Sequence, residues 1–270
     1  MNIDIFKKIW ILILLFILAY FSTLQWMWER WFIPGSYYSH GILIPLISVL
    51  LIWQKRDALK NTKVKSSLWG MKLFILGVVI HLLSLLFRVY FTSGFSMIIV
   101  LAGFVLCFYG KNVLQVILFP IIFLVFMVPL PVVTLINISF QLKLLSAHMA
   151  TMMLNVINMH AVQQGSYILT EHASVLVEDV CSGLRSLVAL MALGALFAYW
   201  LRAGKVKKTV LFLSSIPIAL ITNMLRIMFL AIVSEFWGTK YVPGLVEDLA
   251  GLSVFLLAFL LLSQVEQLLK

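Results

Sequence analysis

A thiol, two carboxylates and a guanidinium stand within one short stretch, Val177-Glu178-Asp179-Val180-Cys181-Ser182-Gly183-Leu184-Arg185. Cys181 is a candidate nucleophile. A helix N-terminus lowers a thiol pKa, a nearby cation lowers it further, and the thiolate is the reactive form. Ser182 and Gly183 allow close backbone approach, and first-turn amides can donate to an oxyanion. Glu178 and Asp179 would oppose ionisation if they faced the sulfur. They must turn away, pair with Arg185 or Arg226, or bind substrate. Arg185 follows Cys181 by four residues, one helical face away, and its simplest role is pairing with Glu178 or Asp179. Taken alone, Cys181 is no more than a small residue packed at a helix start, so the reading depends on what else the chain brings to it.

The elements that must do so span a membrane. The 270 residues are 63% hydrophobic and 11% charged, whereas soluble domains carry about 25% charge. Several apolar runs reach the length of about 18 residues that a spanning helix requires. The net charge of +10 is split among short loops with no aromatic-interleaved basic face, so no nucleic-acid partner is expected. Such a distribution marks cytoplasmic loops instead. The two cysteines, Cys107 and Cys181, have no metal-ligand or redox spacing. They are expected near opposite membrane faces, and Cys107 reads as a small buried hydrophobe.

The expected fold is an all-α polytopic membrane protein of about eight transmembrane helices, one domain over 1–270. The spans run from about Ile9 to Leu24, Ile42 to Trp53, Met71 to Phe87, Phe95 to Tyr109, Val113 to Val128, Cys181 to Leu201, Thr209 to Phe236 and Asp248 to Leu262. Trp26, Trp28 and Trp31 follow the first span as an interfacial belt, with no small-residue cleavage site that would make it a signal peptide. Pro129 and Pro131 stop the fifth span. The mixed segment from Val132 to about His160 reads as an outer-face amphipathic or re-entrant helix. Tyr167–Thr170 and Val175–Val177 form a small β-hairpin before the Cys-bearing helix. Basic residues cluster before the first span, between Lys55 and Lys72, at Lys111, between Arg202 and Lys208, and at Lys270. This puts both termini in the cytoplasm of a plasma (inner) membrane protein.

With that orientation Cys181 opens the sixth span on the outer face. Arg226 lies roughly 25 Å along the seventh, also near the outer surface. Glu247 and Asp248 open the eighth on the same face. An arginine inside a membrane helix costs at least about 2.5 kcal/mol on insertion scales and is a functional candidate, although pairing with an outer carboxylate or snorkelling would also account for it. Asn223, three residues before Arg226, could orient it or bond a substrate carbonyl.

These residues resemble the exosortase/archaeosortase family. The blocks that carry the likeness are Val-Glu-Asp-Val-Cys-Ser-Gly-Leu-Arg-Ser-Leu at 177–187, Ile-Thr-Asn-Met-Leu-Arg-Ile at 221–227 and Glu-Asp-Leu-Ala-Gly-Leu-Ser-Val-Phe at 247–255. Tyr-Ser-His-Gly-Ile-Leu-Ile-Pro at 38–45 is similar to that family's first block, and the likeness covers about residues 38–262. It implies a multi-spanning cysteine protease or transpeptidase with an outer-face site and no metal or organic cofactor. Its partners would be membrane lipid and exported proteins bearing a C-terminal sorting signal made of a short motif, a membrane helix and a basic tail. By resemblance Cys181 is the nucleophile and Arg226 the essential arginine. The third functional residue, usually His in exosortases and Arg in archaeosortases, falls at Glu247. A carboxylate there could act as a base in a partly apolar site or hold Arg226; His172 or His40 could instead supply an imidazole. Two rivals remain at this level: a catalytically impaired binding or assembly factor, and a transporter using Ser84, Ser214, Ser215 and Thr222.

Overall fold

The computed structural model describes residues 11, 12, 14–177, 182–238 and 244–270. The chain folds into two compact units, 1–130 and 131–270. Most large apolar side chains on the helices face outward, as lipid contact requires. Among the described residues, six helical segments are long and apolar enough to cross a membrane.

In the first unit, helical residues 14–19 lead into α1 (Phe21–Phe32). The helix therefore runs through the expected tryptophan belt rather than stopping at Leu24. Trp28 is exposed, but Trp31 is buried and donates its indole N–H to the Met127 carbonyl at 2.9 Å. A packed, hydrogen-bonded indole is a tertiary anchor, so Trp31 leaves the belt. Next come α2 (Leu43–Gln54), the short α3 (Arg56–Asn61), α4 (Leu68–Leu86), α5 (Tyr90–Phe108) and α6 (Gly110–Phe123). A 3₁₀ turn, Leu124–Met127, follows and ends before Pro129 and Pro131, as expected.

Helices α4 and α5 pack backbone to backbone. A Cβ on Gly70 would meet the Cys107 backbone nitrogen, and one on Gly103 would lie 2.5 Å from the Phe74 nitrogen. Small residues permit this approach where no hydrophobic force drives helices together in lipid. Cys107, half-buried, thus belongs to a close helix contact.

The second unit begins with α7 (Val132–Val156), a single helix of 25 residues. A re-entrant segment would interrupt that helix, and a surface amphipathic one would turn its polar residues to water. Ser139, Ser146 and Thr151 are buried, while Asn137, Gln141 and His148 are exposed along with Val133, Ile136, Phe140 and Met152. Part of the polar set faces protein and part faces outward, so the uninterrupted helix argues against the re-entrant form, and its length and composition also suffice to span. Conversely α2 and α8, at 12 and 17 residues, are short apolar helices.

Three short strands follow: β1 (Val162–Gln164), β2 (Tyr167–Leu169) and β3 (Ser174–Leu176), antiparallel in the order β1-β2-β3. The expected hairpin is β2–β3, with Ile168 opposite Val175. β1 adds a strand whose Val-Gln-Gln sequence carries no apolar signal. Gly165, at φ 62°, supplies the left-handed backbone needed between β1 and β2. Then come α8 (Leu184–Trp200), α9 (Lys205–Trp237) and α10 (Leu245–Leu269), the last extending seven residues beyond the expected end. α8 opens three residues later than predicted because Gly183 adopts φ 81°, which a right-handed helix excludes.

Candidate functional site

Helix α9 is the backbone of the site. At about 1.5 Å per residue its 33 residues cover roughly 50 Å, and Arg226 stands roughly 30 Å beyond Lys205. Hydrophobic burial fixes the helix face. Met224, Ile227, Leu230 and Ala231 form one cluster with Ala147, Ala150 and Leu154 of α7, Ile168 of β2, Val177 and Ala250 of α10. The sheet, α7 and α10 therefore gather around the turns of α9 that carry Asn223 and Arg226.

Asn223 is 3% exposed, and its side-chain amide donates to Ser146 Oγ of α7 at 3.1 Å. Its other neighbour is Gly183. A Cβ on Gly183 would lie 2.8 Å from Asn223 Cγ, so the Cys-Ser-Gly turn rests its bare backbone on the asparagine. Two demands meet at Gly183, a left-handed φ and a close approach, and only glycine meets both without strain. Ser182 is buried, and its hydroxyl accepts the Leu184 amide at 3.4 Å.

One turn further along α9, Arg226 donates from Nη2 to Glu247 Oε1 of α10 at 3.3 Å. The side chains keep 12% and 26% of their exposure, respectively. Gly251, one turn beyond Glu247, leaves α10 open beneath the guanidinium: its Cβ position is 3.7 Å from Arg226 Cζ. Of the two roles open to Glu247 in sequence, the geometry displays the one in which it holds Arg226. Asp248 is exposed in the first turn of α10, where a negative charge suits the helix dipole.

The remaining candidates separate. Arg185 sits in the first turn of α8, half-buried, with no partner among the described residues. The helix carrying Arg185 begins at Leu184, with Ser182 and Gly183 outside it, and the predicted face shared with position 181 involves a residue outside the described ones. Cys181 and Asp179, with Glu178, lie outside the described residues. The His172 imidazole is exposed in the β2–β3 turn. That turn is held by Glu235 of α9, which accepts from the Thr170 hydroxyl and from the His172 backbone N–H at 3.2 Å. Glu235 was legible only as an outer acid; nothing in its spacing signals the contact with residues 65 positions away. His40 belongs to the first unit, in the turn before α2. Both its ring nitrogens are buried without a partner, and burial pushes its pKa down to about 4.

Apolar helices with outward-facing side chains, a few buried polar ties and the Arg226–Glu247 ion pair between helices define an α-helical membrane protein of the multi-pass class. The chain belongs to the transmembrane exosortase family, which it matches over residues 28–263. That range contains every block from which the family was expected, including His40, Cys181, Arg226 and Glu247. No curated protein and no solved structure matches the chain.

Proposed function

We propose that this protein is a membrane-embedded cysteine protease or transpeptidase. It cleaves, and re-anchors, exported proteins that carry a C-terminal sorting signal, through a thioester on Cys181. The observation that carries the reading is the packing of Gly183 on Asn223, one turn from the Arg226–Glu247 pair. Three sequence blocks separated by tens of residues meet on one stretch of α9. Two peptide units, about 7 Å at most, join Gly183 to Cys181, which supports reading the thiol as part of the same site.

In the reaction the Cys181 thiolate attacks a peptide carbonyl at the sorting signal. Arg226, held by Glu247, stabilises the oxyanion of the tetrahedral intermediate. Collapse breaks the C–N bond, and the leaving amine takes the proton that the thiol gave up. Glu247 carries that proton, or the imidazole of His172 does. An acceptor amine or water then attacks the thioester and returns the sulfur to the thiol state. The membrane helices hold the substrate's own helix beside the site and supply proximity. With α7 taken as the outer-face helix, the basic loops orient the chain with both termini in the cytoplasm, eight spans, and the site on the outer face of the plasma membrane.

One feature favours a rival reading, a binding or assembly factor without turnover: a carboxylate engages Arg226 at the position where the family usually has His or Arg. Transport has less support, because the hydroxyls of Ser84, Ser214, Ser215 and Thr222 all bond carbonyls of their own helices. The deciding experiment co-expresses the chain with a co-encoded exported protein carrying a sorting signal and follows cleavage by gel shift. Cleavage by the parent and none by Cys181→Ala or Arg226→Ala is expected. Cleavage that survives Cys181→Ala removes the thioester; a parent that never cleaves favours the binding factor.

A further inference from the structure

We infer that the outer edge of β3 is a docking strand, on which an extended main-chain segment of the substrate pairs as a fourth strand beside the site. This deepens the proposed function and rests on it for the identity of the peptide. The argument begins with hydrogen-bond parity. Val177 donates to Ser166 and Thr170 donates to Ala173, both at 2.9 Å. Antiparallel pairs alternate, so Val175 exchanges its bonds with Ile168 opposite it. The N–H and C=O groups of Ser174 and Leu176 therefore point away from β2. β3 ends the sheet order, both residues are exposed, and neither has a backbone partner among the described residues.

Open edges invite pairing, and proteins usually blunt them with lysine, proline or a bulge. β3 is short, at three residues, but its Ser-Val-Leu carries none of these. The opposite edge is treated differently: Gln163 of β1 bonds the Leu144 carbonyl of α7 at 3.3 Å, and Asn155 brackets Ala161 with two bonds. β3 is also rigidly presented. Ile168 and Val177 are buried against α9, and Glu235 clamps the turn that precedes the strand. The face beside the edge is apolar, with Tyr167 and Leu176 paired across the strands and both exposed. An extended peptide fits this surface because main-chain bonds supply affinity while alternate side chains rest on that face.

The strand leads to the nucleophile. Five peptide units join Leu176 to Cys181, at most about 17 Å of chain. About five residues of extended substrate cover the same span, which suits a short motif lying just ahead of a membrane helix.

Two arms test the proposal on the full-length protein in membranes. In the first, Leu176→Pro removes an outward N–H and spares the Ile168–Val175 pair, while Leu176→Ala leaves the main chain intact. Cleavage of the co-expressed exported protein should fall about tenfold in the proline variant, the worth of one or two hydrogen bonds, and stay within about threefold in the alanine variant. Equal rates in parent and proline variant overturn the docking strand and leave the thioester reading standing. The second arm needs no turnover and serves if the proline variant fails to fold. A photo-crosslinking residue at position 174 of Cys181→Ala should join the exported protein just ahead of its membrane helix, while one at position 171 should not. Adducts to lipid only, or none, overturn the proposal; adducts formed with a parent that never cleaves uphold it and sink the catalytic reading instead.

Discussion

The two units hold polar groups inside apolar helices in opposite ways. In the first unit Tyr20, Thr23, His81, Ser93 and Ser96 are buried together. The Ala19 carbonyl only accepts, so His81 Nε2, 3.0 Å away, carries the proton. Nδ1 then accepts from the Ser93 hydroxyl at 2.8 Å, and Ser93 accepts from Thr23 at 2.6 Å. Ser96 donates to the Ser93 carbonyl and accepts from Tyr20. Every hydroxyl and ring nitrogen is satisfied by a neutral imidazole, and nothing points outward. In the second unit Arg226 and Glu247 form a charged pair that keeps part of its exposure, next to a glycine-backed turn and an open strand edge. A closed network specifies how helices fit; a charged pair that keeps part of its exposure remains within reach of solvent. Substitutions in the first should therefore change stability, and substitutions in the second should change rate.

The largest effect expected is from Arg226→Lys. Lysine keeps the charge but loses the planar fork that can hold Glu247 and an oxyanion together. Cleavage should drop on the order of 10²- to 10³-fold, the cost of one lost oxyanion donor, while the thermal midpoint in detergent moves little. A large fall in the midpoint with the cleavage rate per folded molecule retained would make Arg226 structural and erase the contrast between the units.

His40 tests the contrast from within the first unit, since it is buried yet unpartnered there. Its pKa falls from the ordinary 6.5 to about 4 because burial disfavours the charged ring. The unfolded chain takes up a proton near the ordinary value, and the folded chain resists until about 4. Stability is thus complete above pH 6.5 and is lost as pH falls towards 4, by about 3 kcal/mol. Unfolding measured at pH 7.5 and 4.5 should show this loss, and His40→Gln should flatten the slope. An unchanged slope would mean that the imidazole has found a partner.

Ser93→Ala should cost less, about 1–2 kcal/mol, because polar contacts between membrane helices contribute modestly. It orphans His81 Nδ1 and the Thr23 hydroxyl at once. Thermal unfolding checks the loss, and cleavage per folded molecule should be unchanged.

The helices were legible because an apolar run of spanning length is a strong local signal, and Pro129 and Pro131 ended one where expected. The Arg226–Glu247 pair was legible in outline, since helix lengths placed both residues at a similar depth. Conformation decided by packing was not legible. Gly183 could have continued a helix; its left-handed φ follows from the Asn223 side chain that lies against it. The polar residues of α7 suggested a water-facing stripe, yet Ser146 turns inward to Asn223. The Tyr20–Ser96 and Thr23–Ser93 contacts join residues 76 and 70 positions apart, and no local pattern announces them.

The smallest effect should come from Glu247→Gln, and it decides what the third functional position does. Glutamine keeps a carbonyl oxygen where Arg226 donates to Oε1 at 3.3 Å, so the guanidinium stays in place while the charge is lost. If holding Arg226 is the whole role, cleavage falls less than about tenfold and the pH–rate profile keeps its shape. A general acid or base contributes about 10²- to 10⁴-fold and owns one limb of that profile. Loss of that size together with loss of a limb would move the proton to Glu247. A small loss leaves the imidazole of His172 to be tested next, and the pair then acts as a cradle for Arg226 whose own charge takes no part in the proton's route.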